Sequence, residues 1–248
     1  MRAGRWHIVV CCMVLFGARS LADAPQDWTT VPGSAFVEAK QGNDSRYKDL
    51  PRFSMDIELV SYRSWDDQAP HERTQARVVR DASRFRSEVS GLVSVQDPLI
   101  RVVMDPQEHV IMATDPVDLN DAWAIGAVDI VLSSVATCFE RSVDGGKEYK
   151  LVFKTGAVYD HTIVRYDAQG WLRHTSTVWR QTVQEDPSDR LSAAYRPRLD
   201  VSYGIPRTLT GPADASTDPW SLVREGKEGL EAIGAWKDIP IIDTRYRP

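Results

Sequence analysis

From Phe53 the chain alternates: Phe53, Met55, Ile57 and Leu59 are separated by Ser54, Asp56 and Glu58. A period of two sends successive side chains to opposite faces of an extended chain, so this segment predicts a strand with one apolar face. Residues 76–80 and 83–90 predict a hairpin across Asp81-Ala82, where Asp suits turn geometry. A short strand over 92–95 follows. Strands over 99–104 and 109–113 are then joined through Asp105-Pro106-Gln107-Glu108, with Pro at a favoured turn position. Hairpins at such short spacing predict an antiparallel meander.

The period changes at Asp118. Ile125, Val128, Leu132, Val135 and Phe139 recur at steps of three and four, with Val131 and Cys138 beside them. That spacing predicts an apolar stripe along a helix of about five or six turns. Asp118, Asn120 and Asp121 suit its N-terminus, Arg141 its C-terminus, and Asp144-Gly145-Gly146 its end. Strands are expected again at 148–154, 158–166 and 171–181, the last two joined by Asp167-Ala168-Gln169-Gly170. The closing strand has Leu199, Val201 and Tyr203 alternating with Asp200 and Ser202, and 184–192 is the loop before it. Asp218-Pro219 predicts the start of a second helix, with Val223, Leu230 and Ile233 on one face and Gly234 at its stop. Interior glycines cost a helix about 1 kcal/mol each, so this one is expected to be held by docking. Ile239-Pro240-Ile241-Ile242 predicts a final edge strand, since Pro cannot donate a ladder hydrogen bond.

The N-terminus adds a destination. Met1 to Arg5 is basic, His7 to Gly17 is almost wholly apolar, and Ala22-Asp23-Ala24 offers small residues to a peptidase. Residues 1–24 therefore predict an export signal, too short to cross a hydrocarbon core of ~30 Å. The expected location is extracytoplasmic, in a bacterial periplasm, with no transmembrane segment in the mature chain. Residues 25–51 form an N-terminal arm with about one helical turn, in which Asn43-Asp44-Ser45 matches the glycosylation acceptor pattern. The mature chain, 25–248, is expected to be one domain, with a helix-strand extension over 205–248. Loss of Arg2, Arg5, Arg19 and Asp23 makes it more acidic than the net −5 of the whole, which argues against a nucleic-acid partner. Of the 3 cysteines only Cys138 lies beyond the signal, so no intramolecular disulfide can form and stability must come from a core.

These elements predict an α+β, mostly β fold: a curved antiparallel sheet or incomplete β-barrel covered by one long central helix and a C-terminal helix. The run Phe53-Ser54-Met55-Asp56-Ile57-Glu58-Leu59, the hairpin Arg80 to Arg86, the segment Tyr166-Asp167-Ala168-Gln169-Gly170-Trp171-Leu172 and the closing Leu199 to Tyr203 give the chain a pattern that resembles the extracytoplasmic lipoprotein carriers of the LolA/LolB type over about residues 53–203. The resemblance is one of element order. It implies a concave apolar face, covered by helices, that shelters acyl chains. The segment after Gly204 has no counterpart in it.

Candidate chemistry is sparse. His71-Glu72 opens like a zinc-protease helix motif, but Gln75 stands where the second His belongs. Asp160 and His161 are neighbours on a strand and should point to opposite faces, and His109 and His174 lie on other strands. No nucleophile elbow, phosphate loop or dinucleotide fingerprint is present. Cys138 falls on an apolar stripe, where a thiol behaves as a small hydrophobe. Asp115, Asp118 and Asp121 lack the ligand spacing of a calcium loop. Neither a catalytic site, a metal nor a cofactor is expected.

The expected function is noncatalytic binding of an acyl chain or other apolar ligand, with a lipid or lipidated protein as partner. The expected lining is Phe53, Met55, Ile57, Leu59, Ile100, Val102 and Met104 from the sheet and Ile125, Val128, Leu132 and Val135 from the helix. Trp171 and Trp179, which share strand parity, would stand at the mouth, where an amphipathic ring suits the boundary with water. The alternative is an envelope scaffold with a filled core that offers Ile239 to Ile242 to a protein partner.

Overall fold

The computed structural model describes residues 27–118, 132–184, 188, 192–211, 215–227 and 229–245. Strand β1 (Thr29–Val31) leads into helix α1 (Gly33–Lys48). A meander follows: β2 (Arg52–Tyr62), β3 (Glu72–Asp81), β4 (Arg84–Val89), β5 (Leu92–Gln96), β6 (Arg101–Asp105) and β7 (Val110–Thr114). A 3₁₀ turn at Leu132–Ser134 precedes β8 (Val135–Val143), β9 (Gly146–Phe153), β10 (Tyr159–Tyr166) and β11 (Leu172–Trp179). The short pair β12 (Val183–Gln184) and β13 (Ala194–Tyr195) is followed by β14 (Arg198–Tyr203) and β15 (Arg207–Thr208). The hairpin β16 (Val223–Glu225) and β17 (Leu230–Ala232) precedes β18 (Ile241–Asp243). One open sheet runs β1-β8-β9-β10-β11-β14-β2-β3-β4-β5-β6-β7-β18, with β15 beside β2. All its pairs are antiparallel except β18 on β7.

The register decides where the core lies. Residues directly opposite in a ladder share a face. Met55 stands across from Val78, then Ser87, Ser94, Val103 and Met112 in turn, while Ser54 leads through Val79, Arg86 and Val95 to Val102 and Ala113. No register shift interrupts these five pairings. The face bearing α1 (the inner face) is apolar over β2–β4, β8–β11 and β14, where Phe53, Met55, Ile57, Val78, Phe85, Tyr149, Leu151 and Val201 pack with Phe36 and Tyr47 of the helix. Over β5–β7 the apolar residues change sides. Val93, Val95, Val102, Met104, Ile111 and Ala113 point outward and are covered by Trp220, Leu222, Leu230, Trp236 and Ile239 of the C-terminal segment. One sheet thus carries two cores on opposite faces.

The sequence pattern explains much of this and misleads at three places. The N-terminal arm is a 16-residue helix. Its buried stripe of Phe36, Asn43 and Tyr47 has a polar residue in the middle, which breaks the apolar periodicity that signals a helix. Asn43 is 2% exposed and its Oδ1 accepts from Leu172 N at 2.9 Å, so it is structural and closed to glycosylation. The predicted central helix fails over its second half, where Val135, Cys138 and Phe139 lie on β8; 119–131, with Ile125, Val128 and Val131, lie outside the described residues. A bulge between Val135 and Thr137 inserts one residue, so Val135 and Cys138 reach the same face at a helix-like spacing of three. The second helix is a 3₁₀ turn, Pro219–Ser221, in which Asp218 accepts from Trp220 N, followed by the β16–β17 hairpin. Gly226 and Gly229, awkward in a helix, form the hairpin's turn, Gly226 N donating to Gly229 O at 2.7 Å. The edge strand near Ile239–Ile242 is present as β18.

The two-faced sheet predicts a contrast between chain neighbours. Ile111 is 0% exposed in the outer core and Met112 is 38% exposed on the inner face. In urea denaturation, Ile111→Ala is expected to cost about 2–4 kcal/mol and Met112→Ala under about 1 kcal/mol.

Candidate functional site

At the N-terminal end of α1 the helix and the β1–β8 edge of the sheet do not close on each other. They leave a cleft of about 530 Å³. β1 pairs with β8 so that Val31 stands opposite Cys138, and Cys138 in turn stands opposite Leu151 of β9. This row forms the floor, with Cys138 and Leu151 buried. Val37 of α1, Leu132 and Val135 supply apolar walls, and Thr30, Ser34 and Thr137 the polar margin. Leu132, 41% exposed, stands at the opening. Burial raises the Cys138 thiol to about 11, helped by the Glu140 charge. It is therefore a neutral apolar wall group at physiological pH, not a nucleophile.

Among the described residues expected to line a site, the structure brings only Leu132 and Val135 to this cleft, and places Cys138 beside them. Phe53, Met55 and Ile57, at 0–1% exposure, are closed core. The Tyr47 hydroxyl donates to Met55 Sδ at 3.4 Å, and Leu59 packs at the margin of the same cluster. Ile100, Val102 and Met104 belong to the outer core and cannot share a cavity with the β2 residues, because the unbroken register sets Val102 and Met104 on the other face. Ile125 and Val128 lie outside the described residues. Trp171, just before β11, and Trp179, at its end, lie edge-on to Tyr47 at 5.1 Å and to Tyr159 at 5.7 Å respectively.

No family model matches the chain, and no curated protein matches it by sequence. Solved structures do resemble it. The chain is similar to a LolA superfamily protein from Nitrosomonas europaea at 11% identity and a TM-score of 0.29, over 71% of this chain and 94% of that one. The lipoprotein LppX of Mycobacterium tuberculosis is similar at 11% identity and a TM-score of 0.39, over 74% and 100%. A DUF1329 family protein from Desulfovibrio piger gives 11% and 0.34, over 74% and 98%. These likenesses bear on no residue or ligand.

His161 and His174 make polar contacts. The bulge between Tyr159 and His161 in the β10–β11 ladder undoes the expected opposition of Asp160 and His161, whose Oδ2 and Nδ1 lie 3.0 Å apart. Burial lowers the His161 pKa despite that partner, and burial also lowers His174, which lies 3.4 Å from Ser202 Oγ. For Asp160, burial works upward but the His161 hydrogen bond with Arg180 and Arg196 outweighs it, so its pKa is lowered. Among the described residues no group of three or more His, Cys, Asp or Glu is placed to hold a metal ion, and no helix is long and apolar enough to cross a membrane.

Both histidines have folded-state pKa values below their ordinary 6.5, so the unfolded chain takes up protons first as pH falls through that value. Stability is expected to decline on acidification from pH 7.5 to pH 5.5, and the lowered Asp160 adds a loss in the same direction at lower pH. Urea midpoints at the two pH values measure it. The drop should shrink in His161→Gln and His174→Asn; an undiminished drop in both would remove these imidazoles as its cause.

Proposed function

We propose that this is a noncatalytic extracytoplasmic binding protein that holds an acyl chain or comparable apolar ligand in the cleft between α1 and the β1–β8 edge. The observation that carries the reading is the cleft itself, a space of about 530 Å³ floored by Val31, Cys138 and Leu151 and walled by Val37, Leu132 and Val135. Such a site needs no charged anchor. Each methylene taken out of water contributes ~0.8 kcal/mol, about a fourfold gain in affinity per carbon. Because Phe53, Met55 and Ile57 are closed on α1, the ligand sits at the helix's end and not at the centre of the sheet.

The filled centre also supports a second reading, an envelope scaffold. Its partner would add a strand to the outer edge of β18, beside the exposed apolar side chains of Met112 and Ile242.

Titration of the detergent-free protein with fatty acids of eight to fourteen carbons separates the two. The carrier reading predicts affinity rising about fifteenfold per two carbons, and its loss in Val135→Trp with the urea midpoint retained. Absence of any chain-length dependence contradicts it and favours the scaffold.

A further inference from the structure

The apolar cleft at the N-terminal end of α1 is distinguished by its charge as well as its shape. None of the described residues that line it carries a charge. Its one titratable lining group, the Cys138 thiol, stays neutral, and the charge acting on that thiol is the Glu140 carboxylate, which pairs with Lys147 at 3.0 Å. The chain that builds the cleft is as poor in cations. Residues 25–39, which supply β1 and the first turns of α1, contain no Lys, Arg or His, and neither do residues 110–140, from β7 to β8. Both stretches hold acidic residues, among them Asp27, Glu38 and Glu140. Lys154, just after β9, reaches the 3₁₀ turn, but its ammonium donates to Ser133 O at 2.7 Å and it does not line the cleft.

What the margin offers is neutral hydrogen bonding. Thr30, Ser34 and Thr137 bring hydroxyls, which donate or accept as the partner requires. Gly33 and Ser34 open α1, where the N-cap Pro32 makes no side-chain hydrogen bond to the first turn, so their N–H groups have no partner within the helix. That helix end would also attract a carboxylate, by up to about fivefold in affinity near the surface. Drawing a carboxylate out of water to a margin with no cation costs more, over about a hundredfold. A hydroxyl, ester or amide oxygen accepts the same hydrogen bonds without that loss.

We propose that the cleft selects lipids whose polar end is uncharged, an alcohol, ester or amide on a hydrocarbon chain, over the carboxylate of the same chain. This rests on the carrier reading of the cleft and adds to it the class of head group that the margin admits.

The test titrates the mature chain, free of detergent and at pH 7.5, with decan-1-ol, methyl decanoate and sodium decanoate, while the backbone amides of Val37 and Cys138 are followed by NMR. The alcohol and the ester should each bind at least about tenfold more tightly than the carboxylate. Thr30→Lys, at an exposed position of the margin, supplies the missing cation. It should bring decanoate to the affinity of the alcohol or beyond while the urea midpoint is retained. Decanoate that binds the unsubstituted protein as tightly as decan-1-ol, or more tightly, overturns the proposal and leaves the carrier reading standing. A preference unchanged in Thr30→Lys also overturns it, because the charge of the margin would then not set the choice. Binding of none of the three probes overturns the proposal and the carrier reading together.

Discussion

The uninterrupted ladder from β2 to β7 is the constraint on which the rest of the structure depends. Side chains alternate strictly along each strand, and pairing fixes which residues share a face, so the sheet cannot shift its apolar side by local rearrangement. The only freedom left is in which parity carries the apolar residues. Across β3 and β4 that parity changes hands: Val78 and Phe85 face inward, Val79 outward, and by β5 the inner row is Ser94 and Gln96 while the outer row is Val93 and Val95. The inner polar groups there are satisfied. Gln96 bonds both N and O of Val117, at 3.0 and 2.6 Å, and Arg101 donates to Ser94 Oγ at 3.0 Å. An exposed apolar face on β5–β7 would be an aggregation hazard, and the C-terminal segment removes it. Trp220 is pinned there by an indole hydrogen bond of 2.9 Å to the buried Asp97.

The same arrangement locates the open space. A single helix of 16 residues spans about 24 Å, too short to seal the inner face of eight strands. α1 is seated firmly in its first turn by Phe36, edge-on to Tyr149 at 5.7 Å, and at its C-terminal end by Tyr47, against Phe53 and Trp171. Space remains at its N-terminal end, where the floor is apolar, and along its flank from Ala35 to Arg46, where small side chains face two glycine-bearing turns. Chemistry follows from place. The first opening is lined mostly by apolar side chains, the second by a mixture of small, polar and charged ones.

How much of this could be read from residues alone depended on whether a local pattern matched its final environment. The strands of the meander and β9, β10, β11 and β14 were legible because their alternation is intact, as in Phe53-Met55-Ile57-Leu59, while the short pair β12 and β13 went unseen. The hairpins announced themselves through Asp81-Ala82 and Asp167 to Gly170, where Gly170 takes a φ of +82°. β8 was hidden by its bulge, and α1 by Asn43. The site was hardly visible. Leu132 and Val135 were named for the wrong element, and Val102 and Met104 were grouped with Met55 because alternation shows that a strand has two faces but not which face of a neighbouring strand continues it.

The most direct test of a sheet with two cores on opposite faces is a methyl NOE spectrum of the mature protein with labelled methionine and isoleucine. Met55 should show contacts to the Tyr47 ring, and Met104 and Ile111 contacts to the rings of Trp220 or Trp236 and none to Phe36 or Tyr47. Contacts from Met104 or Ile111 to the α1 aromatics would place all these residues on one face and contradict the account.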